Sequence, residues 1–287
     1  MRAIRLTCEY LPDPIGIDRL KPRLMWNCDA ERSGASPAKG EGGLKQTAYQ
    51  IVTEAWDSGK VESASMHAVY PLPLHSRERV TWRVRLWDEN DRPGDWSVAF
   101  FEMGLLERTD WTAKWITGDY TPNKKERYPV DCFHKVFTVR KKVRRARLYI
   151  TACGLYEAKL NGEKVGGFCL APGHTDYRKR VQYQTYDVTD LLGAPTGGAA
   201  ASAAEGVENE LTVQLADGWY RGSCGAWGIT NQYGTETKLL CQLEVEYESG
   251  LRETVSSDGS WQWSNDGPIR FADNKDGEIV EAFRTPS

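Results

Sequence analysis

An all-β fold of two sandwiches is the architecture this sequence predicts, on three observations. Short apolar and β-branched runs alternate with clusters of Gly, Pro, Asn and Asp, the punctuation of antiparallel sheets. Aromatic residues make up 11% of the chain, with 11 Trp and 13 Tyr, and large rings fill the space between packed sheets or stack on sugars. A length of 287 residues is enough for two cores of the usual domain size, about 100 to 150 residues each. With 40% hydrophobic and 27% charged residues the chain has a globular rather than a disordered composition.

In the first third, residues 4–10, 23–27, 48–54, 80–88 and 98–103 read as strands, because each is a β-rich run bounded by breakers. The breakers are Pro12, Pro14, Gly16, the glycine-rich segment 40–43 and Asp91-Arg92-Pro93-Gly94. A period of two over 81–88 sends Trp82, Val84 and Leu86 to one face and Arg83, Arg85 and Trp87 to the other. Trp82 and Trp96 are read as core anchors ahead of sugar platforms. Further on, 133–139, 146–152, 156–160, 181–188, 210–216 and 239–247 read as strands of a larger sandwich, and 188–192 as a helical turn. The basic run 140–147 is read as a turn and an exposed strand face. Residues 193–208, dominated by small side chains, are expected to be a mobile surface loop and the first site of proteolysis.

A net charge of −3 and a pI near 5.9 give no electrostatic case for nucleic acid or an anionic membrane as partner. The seven cysteines are odd in number and have no C-x-x-C spacing, so a zinc or dithiol redox site is not indicated and free, core-packed thiols are expected. No leader-like segment and no long apolar span stands out, and a cytoplasmic setting is the expectation.

Three groups of residues invite a chemical reading. Asn161-Gly162 is a hairpin signal, since a type I′ turn needs positive φ at both central positions. Asn161 either only makes that turn or also offers its amide to a ligand at the rim. Asp217-Gly218-Trp219-Tyr220-Arg221-Gly222 sets two rings and two charges at a glycine-flanked bend. Such a group supplies the stacking and hydrogen bonding a sugar needs, or Trp219 plugs the sandwich end while Arg221 pairs with Asp217 or Asp176. Trp219, Tyr220 and Trp227 lining a concavity would favour binding, and burial of all three a scaffold. His174-Thr175-Asp176-Tyr177 pairs an imidazole with a carboxylate, but no nucleophile motif accompanies it and His67, His75 and His134 complete no metal spacing. No catalytic residue is assigned, because 40 Asp and Glu residues guarantee chance carboxylate pairs.

The segments GLYEAKLNGEKVG (154–166), LAPGHTDY (170–177), VQYQTYDVT (181–189) and ADGWYRG (216–222), in this order, resemble the N-terminal β-sandwich region of bacterial α-L-rhamnosidases. Earlier, Trp56-Asp57-Ser58-Gly59-Lys60, WRVRLWD (82–88), Asp95-Trp96-Ser97 and Phe101-Glu102-Met103-Gly104-Leu105 resemble the fibronectin type III-like module that opens many of these enzymes. Asp110-Trp111-Thr112-Ala113-Lys114-Trp115-Ile116 resembles the junction, which divides the chain into a fibronectin type III-like domain, 1–106, and a jelly-roll-like β-sandwich, 107–287. Residues 273–282 resemble the exit toward the rest of the enzyme, with Val280 where a tyrosine is usual.

The resemblance implies an inverting glycoside hydrolase acting on terminal α-L-rhamnosyl groups, with its acid and base in a helical catalytic barrel that has no counterpart in this sequence. The expected role of this chain is therefore non-catalytic: to support that barrel, its partner, and to bind rhamnosyl groups of L-rhamnose-containing glycans. The alternative is a scaffold that binds no sugar. Relatives of this sandwich bind rhamnose with calcium, so calcium is the one cofactor implied, with no ligand residue assigned.

Overall fold

A computed structural model of the chain describes residues 1–29, 45–193 and 206–284. The chain divides into two compact units, Met1–Asp110 and Trp111–Ser287.

The first unit holds β1 (Arg2–Cys8), β2 (Arg23–Asp29), β3 (Ala48–Thr53), β4 (Val61–Glu62), β5 (His67–Val69), β6 (Arg79–Trp87) and β7 (Ser97–Glu102). They form a three-stranded sheet β1-β2-β5 and a four-stranded sheet β4-β3-β6-β7. The two sheets keep the four-plus-three strand count of an immunoglobulin-like sandwich, with the fourth strand placed beside the third. Between the sheets lie Leu24 and Trp26 from one side and Ile51, Trp82, Val84, Leu86 and Phe101 from the other. Trp26 is held in register by its indole N–H, which donates to Gln46 Oε1 at 3.0 Å.

One expectation for this unit needs correction. Trp96 is not a core anchor: it lies outside the core cluster, with the guanidinium groups of Arg83 and Arg85 each 4.7 Å from its ring centre. Trp87, on the polar face of β6, is nonetheless buried, because Lys60 and Arg85 cover its ring at 5.5 and 4.8 Å.

The second unit is larger. Its strands are β8 (Asp131–Val139), β9 (Val143–Cys153), β10 (Leu155–Leu160), β11 (Glu163–Lys164), β12 (Gln184–Asp187), β13 (Val207–Ala216), β14 (Lys238–Tyr247), β15 (Arg252–Ser256), β16 (Gln262–Ser264), β17 (Ile269–Asp273) and β18 (Gly277–Val280). A five-stranded sheet β11-β10-β13-β8-β16 and a four-stranded sheet β12-β9-β14-β15 enclose the core, with β17-β18 as a separate hairpin. Alternation fills that core: Leu211, Val213 and Leu215 of β13 meet Leu148, Ile150 and Ala152 of β9 and Leu239, Cys241 and Leu243 of β14.

Three segments differ from the sequence reading. β12 covers only Gln184–Asp187, because Tyr183 packs edge-on against Trp111 at 5.3 Å and Tyr149 at 6.4 Å, and Thr151 Oγ1 bonds to the Gln182 carbonyl instead of a ladder partner. Arg147, counted in an exposed basic face, is buried against Asp187 Oδ1 at 2.9 Å. In the expected loop 193–208, Val207 and Glu208 already belong to β13. Residues 194–205, like the glycine-rich segment 40–43, lie outside the described residues.

Candidate functional site

The bend after β13 is one helical turn, α1 (Gly218–Arg221). Gly218 is required there twice over. Its φ is +51°, and a Cβ would stand 2.5 Å from Leu155 Cγ. The turn brings Asp217 and Arg221 into i,i+4 contact, with Arg221 Nε donating to Asp217 Oδ1 at 2.7 Å. Both residues are buried.

Around this pair the polar side chains form a network. Arg221 Nη1 donates to Tyr120 Oη, while the guanidinium lies 5.3 Å from the centre of the Tyr128 ring. Tyr120 stacks on Trp263 at 5.8 Å, and Trp263 Nε1 donates to Asp131 Oδ1 at 3.0 Å. The hydroxyl of Thr237 donates to the other Asp131 oxygen. Burial pushes the Asp131 and Asp217 carboxyls above their ordinary values, and the Arg221 charge pulls Asp217 back. Burial works against the Arg221 charge, but Asp217 and Tyr120 hold it protonated.

Asp217 and Arg221 therefore act as buried pillars, and the expectation that they present charge to a sugar is corrected: their charges are turned to each other and away from water. Arg221 pairs with Asp217, while Asp176 is taken by Arg178 Nε at 3.0 Å. Asn161 and Gly162 have φ of 53° and 81°, as a type I′ turn requires. The Asn161 amide is consumed internally as well. Nδ2 donates to Leu191 O at 2.9 Å and Asn209 Oδ1 at 2.8 Å, and Oδ1 accepts from Glu210 N at 2.9 Å.

The aromatic members lie outside the pillars. Trp219 is half-buried and stacks on the His174 imidazole at 5.4 Å. Tyr220, also half-buried, meets Tyr177 edge-on at 5.2 Å and faces Tyr233 at 6.4 Å. Trp227 stands 90% exposed in a loop closed by mutual backbone bonds between Cys224 and Ile229 of 2.9 and 3.2 Å. The three rings are thus not buried together.

A hollow of about 430 Å³ opens on the outer side of β10 and β13, walled by the β17-β18 hairpin. Its polar lining includes Glu157, Gln214, Asn274 and Glu278 over Leu155 and Leu170. Sequence reasoning missed these residues. The available signal was strand alternation, which turns Glu157 and Gln214 outward from a sheet whose neighbours in sequence point to the core. The hairpin wall is fastened by Asp273, which accepts from Ser223 N at 2.7 Å, Lys275 N at 2.7 Å and Asp276 N at 2.9 Å. Among the described residues, no group of three or more His, Cys, Asp or Glu is placed to hold a metal ion.

Comparison with known proteins agrees with this architecture. Residues 141–287 match the α-L-rhamnosidase N-terminal domain family, and residues 3–107 match the Rha78A-like N-terminal immunoglobulin domain. An α-L-rhamnosidase of Formosa agariphila is 36% identical over 298 residues, covering 96% of this chain and 30% of the relative. Among solved structures, an α-L-rhamnosidase from Aspergillus terreus has a TM-score of 0.82 at 33% identity, covering 97% of this chain and 31% of that one. The Streptomyces avermitilis α-L-rhamnosidase complexed with L-rhamnose has a TM-score of 0.83 at 26% identity, covering 98% of this chain and 42% of that one. The chain spans between 30% and 42% of the length of these relatives. With half of its residues matched by the domain family and nearly all of them by whole enzymes, the chain belongs to the α-L-rhamnosidase N-terminal domain family.

Proposed function

We propose that this chain is the non-catalytic N-terminal part of an α-L-rhamnosidase, and that its second unit supports the catalytic domain of the longer protein. The observation that carries this reading is that Ile279 and Val280 on β18 and Phe283 after it are all exposed. Large apolar side chains left in water this close along the chain fit surface that a further domain covers, and the matched part is only 30% of the relative's length. The test has two arms. The purified chain is expected to release no product from an aryl α-L-rhamnoside, and turnover surviving repurification overturns the non-catalytic reading. In the full-length enzyme, Ile279→Ser with Phe283→Ser is expected to lower Tm by several degrees while leaving the isolated chain unchanged; equal behaviour in both contexts argues against support.

A second reading, capture of a rhamnosyl group by the same unit, is favoured by the exposure of Trp227 and the half-buried rings of Trp219 and Tyr220. One stacking ring with a few polar contacts supports a millimolar to micromolar Kd, about −4 to −8 kcal/mol. Titration with L-rhamnose, with and without calcium, is expected to show such binding in the wild type and its loss in Trp227→Ala or Trp219→Ala, both still folded by circular dichroism. Absence of binding in the wild type leaves the scaffold role alone, and unchanged binding in both variants moves the site elsewhere.

A further inference from the structure

We infer that the first unit carries a separate binding site for a neutral saccharide, in a notch beside β6. The notch follows from unequal strand lengths. β3 pairs with β6 only as far as Thr53 opposite Trp82. The chain then turns back, with Thr53 N donating to Trp56 O at 2.7 Å and Val52 bridging Asp57. β6 itself begins three residues earlier, at Arg79, and there pairs with β7. The space left by the missing end of β3 is a cavity of about 580 Å³, within the range of small-molecule sites, roughly 300–1,000 Å³.

Its lining suits a polyhydroxylated ligand. Val52 and Val98, which flank Arg83 across the sheet, provide apolar surface for the C–H face of a sugar ring. Glu54 and Thr81 line the cavity with exposed polar side chains that have no partner among the described residues. Trp82 also lines it, 1% exposed, and its indole N–H has no acceptor among the described residues. That sealed N–H stands in the wall of the cavity and reports on what enters it. The charged side chains at the cavity cancel, Glu54 and Glu78 against Arg79 and Arg83. That balance gives no preference for an anion or a cation and suits hydroxyls, which donate to carboxylates and accept from guanidinium and hydroxyl groups. None of these residues belongs to the Trp219 and Trp227 region, so the two sites are separable.

The test is a 1H–15N titration of the intact chain with L-rhamnose, D-galactose and a rhamnose-containing disaccharide, following the Trp82 indole N–H assigned with Trp82→Phe. At least one sugar is expected to shift that resonance saturably. Glu54→Ala and Thr81→Ala change exposed side chains and so should remain folded, and each is expected to weaken binding roughly tenfold. Trp227→Ala is expected to leave it unchanged. A Trp82 indole indifferent to all three sugars overturns the inference, as does a shift with the same midpoint in Glu54→Ala and Thr81→Ala. Failure of rhamnose capture at Trp227 would not touch it.

Discussion

Asp217→Ala is expected to destabilise the second unit by about 3–5 kcal/mol, because it leaves the buried Arg221 guanidinium without its counter-charge. Water cannot repay the loss: the remaining Arg221 contacts are the neutral Tyr120 hydroxyl and the Tyr128 ring face. For a unit of this size the loss corresponds to a fall in Tm of roughly 10 °C. Thermal and urea denaturation followed by near-ultraviolet circular dichroism would read it directly. Removing both charges in Asp217→Leu with Arg221→Met is expected to recover much of the stability, since an ion pair replaced as a whole costs far less than one broken. A single Asp217→Ala variant within about 1 kcal/mol of wild type would show that the pair is not a pillar of this unit.

Gly222→Ala has the second largest expected effect, and its cause is purely steric. The Gly222 backbone has φ of −76° and ψ of −165°, open to any residue. An added Cβ, however, would stand 1.9 Å from Asp273 Oδ2 and 2.4 Å from Gly218 O. To make room, the Asp273 carboxylate must leave Ser223 N, and with it the clamp on the β17-β18 hairpin loosens. Overpacking and a lost charge-assisted hydrogen bond together cost about 3 kcal/mol or more. Hydrogen exchange should localise the damage, with protection falling in Ile269–Val280 while β9 and β14 stay protected. Unchanged Tm and unchanged protection in Gly222→Ala would refute the clamp.

The readings that held and those that failed divide by the range of the interaction behind them. The inward set Trp82, Val84 and Leu86 was legible because strand periodicity is a property of adjacent residues. The Asn161-Gly162 turn was legible because positive φ is tolerated by few residue types. The candidate site was legible only in part. Asp217, Trp219, Tyr220 and Arg221 were singled out together, but which were buried was not written in their neighbours. Asp217 and Arg221 are buried because Tyr120 and Tyr128, about a hundred positions earlier, cover the pair. Asn161 makes internal bonds because Asn209, across 48 positions, meets its amide.

What the sequence determined by itself was the all-β class, the positions of most strands and, through its motif order, the family. These depend on backbone preference and on patterns that run over a few residues. Only the tertiary structure decided which polar groups were spent and which were left open. It closed the charges of Asp217 and Arg221, left Trp227 in water, opened the hollow beneath β17-β18, and left a notch where β3 stops short of β6. The physical reason is that the fate of a polar side chain depends on desolvation and on the partners that folding brings near it, and those partners lie tens of residues away along the chain.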